Sequence, residues 1–296
     1  MNHLTSWRRG WRQRIIVYCL FAVAVAAGTT WWVGGQMVAP ASCTIGAPPA
    51  DFSAESISFE SKTGNVVCGW YAEAVEPRGL LLLLHPIRGS RLSMLPRAKM
   101  LAQAGFSVML IDLQAHGESR GDQITIGYLE SRDVQAAVEY AKRRAGTTPV
   151  GIIGRSLGGA SALLAGKLDV DAMVLESTYS TIHRAVDNRV RHRVGVFSTI
   201  ITPMMLFQMQ PRLGFGPDAL RPIDRIAEVQ CPVLFMGGGQ DYHTTADETR
   251  EMYEACQSER ELYIFEHLSH QDFFLHEPTE YRSVLMRFLD RHFPAD

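Results

Sequence analysis

Gly154-Arg155-Ser156-Leu157-Gly158 separates an apolar run over residues 150–153 from a small-residue stretch over 159–165. That order predicts a strand, a sharp turn and a helix. A serine between glycines at such a turn takes a strained backbone conformation that lifts its Oγ above the sheet edge, and side chains at the flanking positions would collide with neighbouring backbone. The plainer alternative is a turn of small residues that lets a helix pack closely on a buried strand. The rest of the chain decides between them.

Outward from this turn the chain alternates. Residues 56–60 and 65–72 are expected as an entering hairpin, 80–84 as a fully apolar strand followed by a helix over 91–104, and 107–112 as a strand followed by a helix over 128–144. Downstream, 172–175, 232–236 and 262–265 read as short buried strands, with helices over 245–256 and 279–293. Between 177 and 229 the alternation lapses. Strands buried on both faces and separated by helices imply the α/β class, with a mostly parallel sheet wound on both sides.

A serine hydroxyl is a weak nucleophile at neutral pH, so it needs a base to take its proton and an acid to orient that base. In a parallel sheet such groups sit on loops at the carboxyl ends of strands. After the strand at 232–236 comes Gly237-Gly238-Gly239-Gln240-Asp241, which delivers a carboxylate; Asp241 is the expected acid, with helix capping as its alternative role and Glu176 as a rival. After 262–265 comes Glu266-His267-Leu268-Ser269-His270-Gln271-Asp272-Phe273. His270, deeper in the loop, is the expected base; His267 is placed at the strand end.

Five ordered motifs, namely Leu84-His85, Asp112-Leu113-Gln114-Ala115-His116-Gly117-Glu118-Ser119, Gly154-Arg155-Ser156-Leu157-Gly158-Gly159, Gly239-Gln240-Asp241 and Ser269-His270-Gln271-Asp272, give the chain order Ser, Asp, His. With them the chain resembles the α/β-hydrolase superfamily from about residue 53 to 296, and within it the membrane-anchored serine hydrolases of the BEM46 and ABHD13 group. The resemblance implies an acyl hydrolase working through a Ser156-His270-Asp241 triad, with no metal and no cofactor. It implies an oxyanion hole from the N–H of Leu157 and a second N–H from the loop after His85. Here the usual His-Gly is His85-Pro86; proline has no N–H, so Ile87 is the expected second donor. His116 is expected to order the turn after Asp112. Residues 177–229 would form a small helical cap that selects a small-molecule or lipid acyl substrate. Ile200, Ile201, Met204, Met205, Leu206, Phe207 and Met209 are candidates for an acyl pocket or for the cap's own packing. Arg184, Arg189, Arg191 and Arg193, with His183 and His192, are candidates for lipid phosphates or for a solvated basic face. Peptidase or acyltransferase chemistry on the same serine, and a non-catalytic membrane-tethered binding protein, are the other readings. His270, Asp272 and His276 are read as loop residues of the hydrolase rather than as a metal site.

Residues 1–14 hold Arg8, Arg9, Arg12 and Arg14 and no acid, and residues 15–33 carry no charge, long enough to cross a bilayer as a helix. Trp31 and Trp32 fall where an interfacial aromatic belt would. The expected organisation is a basic cytoplasmic leader over 1–14, an uncleaved signal anchor over 15–33, a linker over 34–52 and the catalytic domain beyond the membrane; a cleaved signal peptide is the alternative. Ser42-Cys43 as a lipoprotein site and Arg8-Arg9 as a twin-arginine signal are weaker matches. Acidic residues number 31 against 29 basic ones, four of which lie in the leader, so nucleic acid is not an expected partner. Outside the span, Cys43, Cys68, Cys231 and Cys256 allow the pairings 43–68 and 231–256 in an oxidising compartment, or four free thiols.

Overall fold

The computed structural model describes residues 2–294. Its strands are β1 (Ala41–Ser42), β2 (Glu55–Glu60), β3 (Val66–Ala72), β4 (Leu80–Leu84), β5 (Ser107–Ile111), β6 (His116–Gly117), β7 (Val150–Arg155), β8 (Ala172–Glu176), β9 (Val233–Gly238) and β10 (Arg260–Phe265). The helices are α1 (Asn2–Val38), α2 (Leu95–Gln103), α3 (Glu130–Ala145), α4 (Leu157–Leu164), α5 (Ile182–Val194), α6 (Ser198–Phe207), α7 (Met209–Leu213), α8 (Ala246–Ala255), α9 (Phe273–His276) and α10 (Pro278–His292). Eight strands make one sheet in the order β10-β9-β8-β7-β4-β5-β3-β2. The β2–β3 hairpin and the β3–β5 pair are antiparallel, and the other pairs of this sheet, from β5 across to β10, are parallel.

Five consecutive leucines in β4 explain why the sheet is covered twice. Side chains alternate across a strand, so a strand apolar at every position must bury both faces. Leu80, Leu82 and Leu84 pack with Val134 and Ala137 of α3, Leu163 of α4 and Met252 of α8. Leu81 and Leu83 pack on the other side with Ala98 and Leu101 of α2 and with Leu285 and Phe288 of α10. Between β8 and β9 the interval is filled by α5, α6, α7 and short 3-10 turns, which have a small core of their own around Ile182, Ala185, Leu206 and Met209.

Two expectations change at the N-terminal side. The helix α1 runs unbroken through Val38, so the leader, the span and the first residues of the expected linker are one helix. The segment after Val38 is fixed to the domain: β1 pairs in parallel with β6, the N–H groups of Ile45 and Gly46 donate to Glu118 Oε1 (3.0 and 2.9 Å), and Trp70 Nε1 donates to Gly46 O (3.3 Å). The cysteine pairings are not formed; all five thiols are free. Cys231 and Cys256 are packing residues of the α3–α4–α8 core, where burial pushes the Cys231 thiol up to about 12.

Candidate functional site

Ser156 sits between β7 and α4 with φ +49° and ψ −108°, a left-handed conformation that costs about 1–3 kcal/mol for a residue with a Cβ. The surrounding packing enforces it. The Ser156 N–H donates to Glu176 O (2.7 Å), a Cβ on Gly154 would lie 2.6 Å from the Gly159 backbone, and one on Gly158 would lie 2.4 Å from Leu84 O. Only glycine fits either flank. Ser156 Oγ then lies 3.4 Å from His270 Nε2, and His270 Nδ1 lies 2.7 Å from Asp241 Oδ2. The other oxygen of Asp241 accepts the N–H groups of His243 (2.7 Å) and Thr244 (2.9 Å), which fixes the carboxylate plane. Asp241 and Ser156 are buried, and His270 is partly exposed. With Nδ1–H donated to Asp241, Nε2 faces the hydroxyl as an acceptor at 3.4 Å.

The alternatives from sequence fall elsewhere. Thr245, not Asp241, caps α8, in a capping box with Glu248. Glu176 is buried in an ion pair with Arg97 (Nη2–Oε2 2.7 Å) and accepts the Tyr281 hydroxyl. His267 is exposed in the turn after β10. Asp272 binds Arg97 Nη1 (2.9 Å) and Arg155 Nη1 (3.0 Å), His276 Nδ1 donates to Asp272 O (2.9 Å), and no metal-binding cluster occurs among the described residues.

Sequence reasoning missed what that Asp272 cluster does. Arg155 belongs to the serine turn and Asp272 to the His270 loop, so their ion pair ties the serine and histidine segments together, with Arg97 of α2 and Tyr281 of α10 locking them from below. The signal was present in the Gly-Arg-Ser and Ser-His-Gln-Asp motifs. Nothing in the apolar spacing of 91–104 singles out Arg97.

The loop after β4 is held by two imidazoles. His85 Nδ1 donates to Pro86 O (2.8 Å) while its Nε2 accepts the Leu113 N–H (3.0 Å); His116 Nδ1 donates to Gln114 O (2.9 Å) while its Nε2 accepts the Arg88 N–H (3.0 Å). Arg88 is turned to φ +58°, and the Ile87 N–H, like that of Leu157, has no acceptor among the described residues. Both residues line the same cavity as Ser156. Asp112 joins the two loops from beneath by accepting the N–H groups of Arg91 (2.7 Å) and Glu118 (2.9 Å). His116 therefore has the ordering role expected of it, and the segment it orders is the loop that carries Ile87. Burial lowers both histidines to about 4, because an imidazolium there would lose its solvation and one acceptor bond. Both rings are expected to stay neutral, Nδ1-protonated, from about pH 8 to about pH 5; imidazole 15N chemical shifts that titrate near about 6.5 would overturn this.

Residues 75–215 match the Hydrolase_4 family, described as serine aminopeptidase, S33. The esterase Pf2001 of Pyrococcus furiosus superposes with a TM-score of 0.72 over 87% of this chain and 98% of its own, at 21% identity. The chain has the α/β-hydrolase fold. It is also 23% identical to the uncharacterized protein YqkD of Bacillus subtilis over 78% of its own length and 77% of that protein's. It is 24% identical to the alpha/beta hydrolase domain-containing protein WAV2 of Arabidopsis thaliana over 81% of its own length and 80% of that protein's.

Ser156, Leu157 and Ile87 open on a cavity of about 870 Å³ including its mouth, walled by α5, α6, α7 and the end of α1. Met205, Leu206 and Met209 line it, and Leu206 and Met209 also pack in the cap's own core, whereas Ile200, Ile201, Met204 and Phe207 do not line it; Ile200 and Phe207 point outward. Of the four arginines in α5, Arg184 pairs with Glu251 and Arg191 with Asp187, and only Arg189 lines the cavity. Its guanidinium donates to Ala185 O (2.6 Å) and makes no ion pair among the described residues. Among the described residues no wall residue is acidic.

Proposed function

We propose that this protein is a member of the α/β-hydrolase superfamily and a serine esterase of the membrane-anchored BEM46 and ABHD13 type, with its N-terminus cytoplasmic and its catalytic domain across the membrane. The leader arginines and the segment Gln13–Val38, which holds an 18-residue window of mean hydropathy 1.8, support the anchor. Ser156 Oγ attacks the ester carbonyl as its proton passes to His270 Nε2; Asp241 holds the imidazolium, and Leu157 and Ile87 N–H groups receive the oxyanion. The proton then goes to the departing alcohol, and water, deprotonated by His270, releases the acid from Ser156. One observation carries the reading: a hydrogen-bonded Ser156-His270-Asp241 series opens on an apolar cavity without a carboxylate.

That same cavity separates esterase from aminopeptidase. An aminopeptidase must hold the substrate's ammonium group, and here the group would meet the Arg189 guanidinium, which makes no direct ion pair among the described residues, in an apolar wall. Against a panel of p-nitrophenyl esters from acetyl to dodecanoyl and of aminoacyl p-nitroanilides, kcat/KM is expected to favour esters by roughly 100-fold or more. The reverse preference would replace this reading with a peptidase. Arg189→Gln is expected to lower kcat/KM about tenfold for an ester carrying a neighbouring carboxylate, and to leave a neutral ester of the same length unchanged.

A further inference from the structure

The helix α1 is more than a tether. Gly34 and Gly35 form a notch against α7 and the residue before it: a Cβ on Gly34 would lie 2.3 Å from Gln208 Oε1, and one on Gly35 3.1 Å from Arg212 Nη1. Gln208 Nε2 donates to Thr30 O (2.9 Å), and the Arg212 guanidinium stacks 3.9 Å over the Trp31 ring while donating to Trp31 O. Arg88 reaches Gln36 O (3.1 Å) from the other side. The helices around the cavity are thus fixed to α1 at the level of Trp31 and Trp32, where a span would leave the hydrocarbon.

The helix α6 packs on α1 at that level, buries Ser198, Thr202 and Leu206, and exposes the opposite stripe. Ile200 (62%), Pro203 and Phe207 (80%) follow each other at three- and four-residue steps, so they share one face of α6, and Val196 (82%) and Phe197 (64%) are exposed in the 3-10 turn just before it. Just before them Arg191, His192 and Arg193 are exposed at the end of α5. An apolar face with a basic rim is the pattern of a helix lying in a bilayer interface, and such a face on a purely aqueous domain would carry an unrelieved hydrophobic cost. Where α1 meets this region, Gly34 and Met37 of α1 and Met205 and Leu206 of α6 form cavity wall.

We propose that the exposed face of α6 lies in the headgroup and acyl boundary of the leaflet that α1 leaves, and that the acyl chain of a bilayer lipid reaches Ser156 from that leaflet along the seam between α1 and α6. This rests on the anchored-esterase reading, and its occupant is the lipid surface itself. The full-length chain is reconstituted into vesicles of phosphatidylcholine and phosphatidylglycerol with p-benzoylphenylalanine at position 207 or, as a control, at the fully exposed position 75. Irradiation is expected to give a lipid adduct at 207 and not at 75, with and without Ser156→Ala. Equal labelling at both positions, or none at 207, would overturn the membrane-facing cap whether or not the protein is an esterase. For the route, the rate on a long-chain ester dissolved in the vesicles is divided by the rate on soluble p-nitrophenyl acetate. In the double variant Ile200→Ser, Phe207→Ser this ratio is expected to fall about tenfold; an unchanged ratio would overturn entry from the leaflet.

Discussion

Ser156→Ala is expected to lower the turnover of a short acyl ester by about a million-fold. The substitution removes Oγ and nothing else that matters to the fold, since the Ser156 N–H bond to Glu176 O and the elbow glycines remain. The N–H groups of Leu157 and Ile87 also remain, so a residual advantage over water of about 10³–10⁴ should persist from oxyanion binding and substrate positioning. His270→Ala alone should cost nearly as much, and the double variant little more, because a nucleophile and its base act as one unit. Steady-state assays with circular dichroism to verify folding test this. A loss below about tenfold for Ser156→Ala, or losses that add, would contradict the proposed triad.

Arg97→Met should be the most destabilising single change outside the sheet, by about 3–5 kcal/mol. The guanidinium is fully buried and binds Glu176 through two nitrogens (3.1 and 2.7 Å), Asp272 through the third (2.9 Å) and the Tyr281 hydroxyl (3.0 Å). Methionine fills much of the volume but leaves Glu176 with Tyr281 alone. Arg155→Met should cost less, because Asp272 keeps Arg97. Burial alone would raise the Asp272 carboxyl, but the hydrogen bond and charge of Arg97, with Arg155, outweigh it and hold it below the usual carboxylate range. That contribution to stability is therefore complete above the unfolded carboxylate value of about 4 and is lost as pH falls through the folded one. Urea denaturation of both variants at neutral pH measures the difference. Equal effects of Arg97→Met and Arg155→Met would show that the Glu176 pair contributes nothing.

The sheet was legible because its signal is local: five leucines in β4 and apolar runs at β7, β8 and β9 require two covered faces wherever they fold. The proposed site was legible because each group follows a strand end: chain order and loop position point to Asp241 rather than Glu176 and to His270 rather than His267, and the fold brings Asp241, His270 and Ser156 within reach of one another. Partners distant in sequence were not legible. Arg97 looks like any arginine on a helix until Glu176 and Asp272 are folded against it. Gly34-Gly35 looks like the start of a linker until Gln208 and Arg212 close on it. The cap helix shows the same limit in finer form. Its period separates Leu206 from Phe207, but whether an apolar face meets the cavity or the outside depends on where α1 lies.

Whether Ser156 is a nucleophile activated by His270 and Asp241 is tested most directly by reacting the full-length protein with a fluorophosphonate and analysing its peptides by mass spectrometry. The expected result is one stoichiometric adduct on Ser156, absent in Ser156→Ala and greatly slowed in His270→Ala. An adduct on another serine such as Ser161 or Ser180, or none on the folded protein, would contradict it.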